Sequence, residues 1–95
     1  MNLTFECDRR KAASNLAKHR VAFEEALTVF ADPLARIFED ADHSIEERRE
    51  IIVGHSSQRR FLLVCFTTTG ESVRIFSARL ATRRERKDYE ENVQE

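Results

Sequence analysis

The sequence predicts an α+β domain over residues 1–95, built from an N-terminal strand and two helices, an antiparallel β-meander and a C-terminal helix. The spacing of the apolar residues indicates this mixed fold. Between residues 8 and 31 the spacing is that of amphipathic helices, and after Pro33 it changes to the period of two that is typical of strands. The later apolar segments follow one another without an intervening helix, so they must pair antiparallel. A chain of 95 residues, 41% hydrophobic and 35% charged, has room for one core and is neither disordered nor membrane-embedded in composition.

The first third of the chain predicts a short strand over residues 3–7 and two helices. Asp8 is the expected N-cap of the first helix, which we expect to end near His19. Its inner face is predicted to consist of Ala12, Ala13, Leu16 and Ala17. The second helix is predicted over residues 22–31, with an apolar stripe at i, i+3, i+4 and i+7 that consists of Phe23, Ala26, Leu27 and Phe30. Pro33 then stops it.

The middle of the chain predicts four strands joined by turns. The strands are expected at residues 34–39, 49–54, 59–67 and 72–78, with an acidic loop at 40–44, a turn at 55–58 and a hairpin turn at 68–71. The segment 59–67 is apolar on both faces, which indicates a central strand.

The C-terminal helix begins with a capping box, in which Thr82 and Glu85 satisfy each other's backbone amides. Tyr89 is its only large apolar residue before Glu91, so the helix cannot bury an ordinary hydrophobic stripe. It is therefore either a loosely docked tail or a helix whose polar face has a function.

Charge is segregated along the chain although the net charge is only -1. Residues 48–87 carry ten basic and three acidic side chains, whereas residues 32–47 carry one basic and six acidic ones. Thirteen of the sixteen basic residues are Arg, whose planar fork binds phosphate with two hydrogen bonds. Arg-favouring codon usage explains the Arg/Lys ratio equally well, but it does not explain the segregation. The basic block indicates a phosphate-binding surface and hence RNA.

Other classes of protein lack their signatures in this sequence. There is no signal peptide, apolar membrane span, P-loop, HExxH or GxSxG motif, and the two cysteines, Cys7 and Cys65, do not indicate a disulfide framework. We therefore expect a cytoplasmic protein. Asp40, Asp42 and His43 are too few ligands for a metal site, so neither a metal nor a cofactor is expected.

The predicted site lies where the last strand meets the C-terminal helix. Arg74 and Arg79 would bind a phosphodiester there and offset the charge that develops on it. Tyr89 or His19 would transfer protons, since a phenol or an imidazole can serve as general acid or base. The alternatives remain open that the arginines solvate a face and pair with neighbouring glutamates, and that His19 caps its helix.

Several dispersed motifs, spread over residues 5–90, resemble the BrnT toxin family. They are Phe5-Glu6-Cys7-Asp8, Lys11-Ala12, Asn15-Leu16-Ala17-Lys18-His19, Phe23-Glu24-Glu25-Ala26, Val29-Phe30-Ala31-Asp32-Pro33, Glu46-Glu47-Arg48, Ile52-Val53-Gly54, Leu62-Leu63-Val64, Arg74-Ile75-Phe76-Ser77-Ala78-Arg79, Arg84-Glu85 and Tyr89. The sequence departs from the family pattern at Cys7, where Trp is usual, and at Arg20, where Gly is usual. We expect the second change to alter the turn between the helices, since Gly tolerates φ > 0 and Arg adopts it reluctantly.

The resemblance implies a RelE-like fold and a type II toxin that acts as a metal-independent endoribonuclease, inhibiting translation and growth. It implies a hetero-oligomer with a BrnA-like ribbon-helix-helix antitoxin, and contact with operator DNA only through that antitoxin. The family's C-terminal signature includes Ser77, Arg79, Glu85 and Tyr89, and its N-terminal one includes Lys18 and His19.

The resulting hypothesis is an endoribonuclease in which the 2′-OH attacks the neighbouring phosphodiester. The expected catalytic residues are Arg79, Arg74, Tyr89 and His19, and the expected RNA-binding residues are Arg83, Arg84, Arg60 and Lys18. A non-catalytic module that binds RNA or protein is the main rival, and a small metal-dependent hydrolase is a more distant one.

Overall fold

The computed structural model describes residues 4–40 and 48–93, and it has the predicted order of strands and helices. In chain order the elements are β1 (Thr4–Glu6), α1 (Arg9–His19), α2 (Phe23–Thr28), a 3₁₀ turn (Val29–Ala31), β2 (Arg36–Glu39), β3 (Glu50–His55), β4 (Phe61–Thr69), β5 (Ser72–Leu80) and α3 (Arg83–Val93). The α+β prediction is confirmed. No helix within these two segments is long and apolar enough to cross a membrane.

The strands form one five-stranded sheet in the order β1-β5-β4-β3-β2. Strands β2 to β5 are an antiparallel meander, as predicted, while β1 pairs parallel with β5 at the opposite edge. The central position of β4 is also confirmed. Its residues alternate between two apolar layers, which explains why the segment is hydrophobic on both faces.

One face of the sheet carries α1 and α2, and the other carries α3. The first layer contains Val21, Phe23, Ala26, Val29, Ile52, Leu62, Val64, Phe66, Val73, Ile75 and Ala78. The second layer is smaller, and in it the buried ring of Tyr89 packs with Val53 and Phe61. The C-terminal helix is therefore docked on the sheet through Tyr89.

A β-bulge interrupts the pairing of β4 with β5. Cys65 pairs with Ser77 whereas its neighbour Phe66 pairs with Ile75, so Phe76 is an extra residue without an opposite partner. The extra residue shifts the alternation of β5 by one position. Its effect appears at Arg74 and Arg79, which would otherwise point to opposite faces because their numbers differ by five.

The two arginines instead share the face that carries α3. Arg74 pairs with Thr67 and Arg79 pairs with Leu63, and these partners lie four residues apart on β4. Residues an even number apart on a regular strand point to the same side, and Leu63 packs in the layer that contains Tyr89. The bulge thus brings both predicted phosphate-binding residues to one surface.

The predicted inner face of α1 is wrong except at Ala12, which is partly buried. Leu16 is 51% exposed, and Ala13 and Ala17 are exposed as well. Asn15 is the buried residue of this helix, because its carboxamide makes three hydrogen bonds to buried backbone groups of the neighbouring segments. A side chain that satisfies buried polar groups can replace an apolar one at such a position.

Smaller differences concern element boundaries. β2 begins at Arg36 rather than residue 34, because the Asp32 side chain holds the backbone N–H of Leu34 in a turn. β4 begins at Phe61 rather than residue 59, because Arg59 adopts a positive φ of 64° within the turn. The predicted acidic loop at 40–44 lies outside the described residues beyond Asp40.

Candidate nucleic-acid interface

A cationic cleft of about 340 Å³ lies between α1 and β5, next to the bulge. We call it the α1–β5 cleft. Its basic lining residues all come from α1 and are Arg10, Lys11, Lys18 and His19. Ser14 and Asn15 complete the helical wall, and Phe76 and Ser77 of the bulge form the opposite wall. Four groups that are or can be cationic thus converge on one small concavity, which suits a polyanion.

The helix presents this polar side to the sheet because of its residue spacing. Lys11, Asn15 and Lys18 occur at i, i+4 and i+7, so they form one stripe along the helix. Asn15 is the only one of the three that is buried, and it fixes the helix in place while the two lysines extend along the cleft. This polar stripe was the sequence signal for the cleft, and it was obscured by the alanines and leucine beside it.

Caps define both ends of α1 and so fix where its side chains lie. The Asp8 carboxylate accepts from the backbone N–H of Arg10 at 2.7 Å, as the predicted N-cap. At the other end Arg20 takes the left-handed conformation with φ of 58°, directly after His19. The chain therefore turns sharply at Arg20.

Arg79 lies at the end of β5 and is held by Glu85 of α3. Two parallel hydrogen bonds of 2.8 Å join its guanidinium to both carboxylate oxygens. The Arg79 guanidinium, with the backbone N–H of Thr82, lowers the pKa of Glu85 to about 2, against the effect of partial burial. The predicted capping box is confirmed, and its glutamate also clamps Arg79.

The other predicted arginines of β5 and α3 have exposed side chains. Arg74 is exposed, and its guanidinium carbon lies 5.3 Å from the centre of the Phe76 ring, so it reaches the wall of the cleft. Arg83 and Arg84 are exposed in the first turn of α3. Lys18 and His19 meet Ser77 in the cleft itself. Of the predicted residues, Lys18 and His19 thus line the cleft and Arg74 lies beside its Phe76 wall. Arg79 is paired with Glu85 at the end of β5.

The hydroxyl of Tyr89 is bound to the backbone and not to the predicted arginines of β5 and α3, within the part of the chain that the structure describes. Its ring is 7% exposed and packs against Phe61 at 4.7 Å between centres, and its hydroxyl donates to the carbonyl of Leu34 at 2.6 Å. Burial raises the pKa of the phenol. The side chain therefore anchors α3 to the sheet and to the turn before β2.

Arg60 also lies apart from the α1–β5 cleft, in a buried polar network. Its guanidinium donates to the carboxylate of Glu25, which is almost wholly buried and also accepts from the Ser56 hydroxyl. A further N–H of Arg60 reaches the carbonyl of Arg20 at 2.9 Å. Hydrogen bonding to Arg60 lowers the pKa of Glu25 despite the opposing effect of burial. This network ties the β3–β4 turn to the junction of α1 and α2.

Sequence reasoning missed Arg10, Lys11, Arg49 and Phe76 as residues of this surface. Lys11 belongs to the polar stripe of α1 and Arg10 precedes it in the chain, whereas Phe76 joins the surface only because of the bulge. Asp42 and His43 lie outside the described residues. Among residues 4–40 and 48–93, no three His, Cys, Asp or Glu side chains are grouped so that they could hold a metal ion.

The fold and this surface define a small α+β protein with a cationic cleft between its first helix and its sheet. Residues 8–85 match the family described as "Ribonuclease toxin, BrnT, of type II toxin-antitoxin system", and the chain belongs to this family. Among solved structures, its fold is similar to that of the Brucella abortus ribonuclease toxin BrnT, with a TM-score of 0.67 and 20% sequence identity. That similarity covers 86% of this chain and 100% of the Brucella chain. No curated protein sequence matches this chain.

Proposed function

We propose that this toxin is a metal-independent endoribonuclease that binds the scissile phosphate in the α1–β5 cleft. The observation that carries the proposal is the meeting of Lys18 and His19 of α1 with Ser77 at the bulge of β5, inside a concavity of about 340 Å³. Arg10 and Lys11 add positive charge to the same wall. Positioning and charge stabilisation of this kind are sufficient to promote cleavage of a phosphodiester without a metal.

In the proposed reaction the ribose 2′ oxygen attacks the adjacent phosphorus and the bond from phosphorus to the 5′ oxygen breaks. His19 accepts the proton of the 2′-OH, and the leaving 5′ oxygen takes a proton from water. Lys18 and Lys11 offset the charge that builds up on the phosphate oxygens. The products are a 2′,3′-cyclic phosphate and a new 5′-OH end.

The arginines predicted for this site divide into two groups in the proposal. Arg74 lies against Phe76 and binds the RNA backbone beside the cleft, with Arg83 and Arg84 extending the positive surface along the start of α3. Arg79 orients α3 through Glu85, and it contacts phosphate only if RNA competes with that carboxylate. Tyr89 and Arg60 support the fold, because both are engaged within it.

We also propose that the partner is a BrnA-like ribbon-helix-helix antitoxin and that the toxin contacts operator DNA only through it. Support comes from the family's type II toxin–antitoxin description and from the cationic cleft, which an acidic segment of the antitoxin would cover. Free toxin would then act in the cytoplasm by cleaving RNA, and the loss of intact RNA would inhibit translation and growth.

The test is cleavage of a defined RNA in EDTA, with the chemistry of the new ends determined. We expect cyclic phosphate and 5′-OH ends from the wild-type protein, strong loss of rate in His19→Ala and Lys18→Ala, and wild-type rates in Lys87→Ala, a lysine that is exposed on α3. Cleavage only after addition of Mg²⁺ would overturn the metal-free mechanism. RNA binding without new ends would instead identify a non-catalytic module.

A further inference from the structure

β2 is an edge strand, and among residues 4–40 and 48–93 no strand pairs with its outer side. The alternation of hydrogen bonds along an antiparallel pair shows which of its backbone groups are turned outwards. Asp40, directly after β2, donates its N–H to the carbonyl of Arg49 at 2.8 Å, so the even-numbered residues are turned towards β3. The N–H and C=O groups of Ile37 and Glu39 are therefore turned away from the sheet, where a further strand can pair with them.

The side chains of β2 leave apolar surface exposed on both faces of this edge. Ile37 is 55% exposed and pairs with Ile52, so it lies on the face that carries α1 and α2. Phe38 is 47% exposed and pairs with Ile51, so it lies on the face that carries α3. There Phe38 lines one end of an apolar groove of about 230 Å³ that reaches Tyr89. A chain that pairs with β2 would cover both exposed side chains.

The charges around β2 match an antiparallel copy of the same strand. Residues directly opposite one another point to the same side, so a symmetric antiparallel pair must be centred on one residue that lies opposite itself. Centring on Phe38 places Arg36 opposite Asp40 of the second copy, once on each side of the axis. Centring on Ile37 would instead place Arg36 opposite Phe38, and centring on Glu39 would bring two glutamates together.

The backbone of β2 favours the same register. With Phe38 on the axis, Ile37 lies opposite Glu39 of the second copy, and these are the residues whose backbone groups are turned outwards. Each such pair exchanges both of its N–H···O bonds, whereas Phe38 faces itself in a non-hydrogen-bonded pair, in which side chains lie closest. Arg36 and Asp40 also have contacts within their own chain. They can keep these in the pair, because a guanidinium has about five N–H donors and a carboxylate about four acceptor positions.

We propose that the free toxin forms a symmetric homodimer, in which β2 of each copy extends the sheet of the other and Phe38 lies on the two-fold axis. The partner at this edge is therefore a second copy of this chain. The apolar layer beneath α3 continues from one copy to the other across the axis. β1 and β5 lie towards the opposite edge of each sheet, so both α1–β5 clefts stay open and the dimer is independent of the proposed cleavage reaction. Because each copy contributes only one short strand, the dimer is weak and dissociates on dilution.

The charge pairing can be tested by sedimentation equilibrium of the purified toxin over a range of concentrations. We expect the wild type to associate reversibly, and Arg36→Asp and Asp40→Arg each to associate at least about tenfold more weakly, because each variant places like charges opposite one another twice. An equimolar mixture of the two variants should recover the association, since its heterodimer has opposite charges at both positions. Arg9→Asp, at an exposed position of α1, is the matched control and should behave as wild type. A wild type that is monomeric at every concentration, or a mixture that associates no better than its components, would overturn the dimer.

Disulfide trapping tests the register without altering any charge. The variants are made together with Cys7→Ser, because Cys7 is exposed. Phe38→Cys should cross-link two copies on mild oxidation, since opposite non-hydrogen-bonded residues have Cα atoms about 4.5 Å apart, which a disulfide can span. Ile37→Cys is the matched control and should stay uncross-linked, because residue 37 of the second copy lies diagonally at about 7–8 Å. Cross-linking of both variants to the same extent, or of neither, would contradict the pairing centred on Phe38.

Discussion

Asn15 of α1 pairs with both backbone groups of Ala78 on β5. Its amide nitrogen donates to the Ala78 carbonyl at 2.8 Å, and its carbonyl oxygen accepts from the Ala78 N–H at 3.0 Å. The same amide nitrogen also donates to the carbonyl of Val21 at 2.9 Å. The side chain thus takes the place of a neighbouring strand, because β1 pairs with β5 only as far as Arg74. It also fixes the distance between the basic side of α1 and the bulge.

The first prediction concerns this contact. Asn15→Ala should lower the free energy of unfolding by about 3 kcal/mol, because it leaves buried backbone groups of Ala78 and Val21 without their partner. Urea denaturation of the variant measures the loss. Ser14→Ala, at an exposed neighbouring position, is the matched control and should change the value by less than about 0.5 kcal/mol. Equal stability of the two variants would show that other groups satisfy the β5 edge.

A second prediction concerns acid stability. The Arg79 pairing lowers the pKa of Glu85 to about 2 in the folded protein, below its ordinary value of 4.5. A lowered pKa stabilises the fold above pH 4.5, and this contribution is lost as the pH falls towards 2. We expect it to be about 1 kcal/mol, because the pair is about one-third exposed and solvent screens it.

The comparison of wild type with Glu85→Gln isolates this carboxylate, since Glu25 and Asp32 also have lowered pKa values and contribute in the same direction. The stability difference between the two proteins should be largest near neutral pH and should shrink between pH 4.5 and 2. Glu90→Gln, which alters an exposed pair with Arg86, should show almost no difference. A wild-type minus Glu85→Gln difference that is constant with pH would contradict the assignment.

The third prediction separates a structural from an RNA-binding role for Arg60. Arg60→Ala should lower the free energy of unfolding by about 3–5 kcal/mol, because it leaves the charge of Glu25 buried with Ser56 as its remaining partner. The double variant Glu25→Leu with Arg60→Met should recover most of this loss, since no buried charge remains. Thermal unfolding of the three proteins gives the answer. A stable Arg60→Ala protein with weakened RNA binding would instead support an RNA-binding role for Arg60.

The fourth prediction concerns Tyr89. Tyr89→Phe removes the hydrogen bond to the Leu34 carbonyl and should cost about 1 kcal/mol, with RNA cleavage retained at temperatures where the protein is folded. Tyr89→Ala should cost about 3–5 kcal/mol, because it leaves a cavity against Phe61 and Val53. Cleavage assays alongside circular dichroism separate stability from chemistry. A folded but inactive Tyr89→Phe protein would show that the Tyr89 hydroxyl takes part in RNA cleavage.

The fifth prediction concerns the turn after α1. Arg20 has a φ of 58°, a conformation that glycine adopts without the steric cost imposed by a Cβ. Arg20→Gly should therefore raise stability by a few tenths up to about 1 kcal/mol. The gain is limited because glycine also increases the entropy of the unfolded chain. Differential scanning calorimetry measures it, and a decrease in Tm would show that the Arg20 side chain stabilises the fold.

The sequence was sufficient to predict those elements whose signals are local. The Asp8 cap, the capping box from Thr82 to Glu85 and the alternating strands depend on residues close in the chain, so they could be recognised without tertiary information. The central position of β4 was also predictable, because a strand covered on both faces must be apolar on both.

The wrong predictions for the inner face of α1 and for the surroundings of Tyr89 arise from contacts between residues that are distant in the chain. The side of α1 that faces the sheet could not be found from hydrophobicity, because Asn15 is buried by hydrogen bonds to Ala78, 63 residues away. The environment of Tyr89 depends on Leu34, 55 residues away. Neither pairing follows a period that the sequence could reveal. The predicted site therefore included Lys18 and His19 of α1 but not Arg10 and Lys11, which line the same cleft.

Because Phe76 is an extra residue in β5, the number of residues between Arg74 and Arg79 determines whether the two side chains lie on the same face of the sheet. Adding or removing one residue in this interval would turn one arginine to the opposite side of the sheet, whereas a change of two would preserve their common side. The length of this interval therefore decides which face of the sheet each arginine occupies. Among related toxins, the number of residues between the two basic positions should vary in steps of two, or be matched by the gain or loss of a bulge.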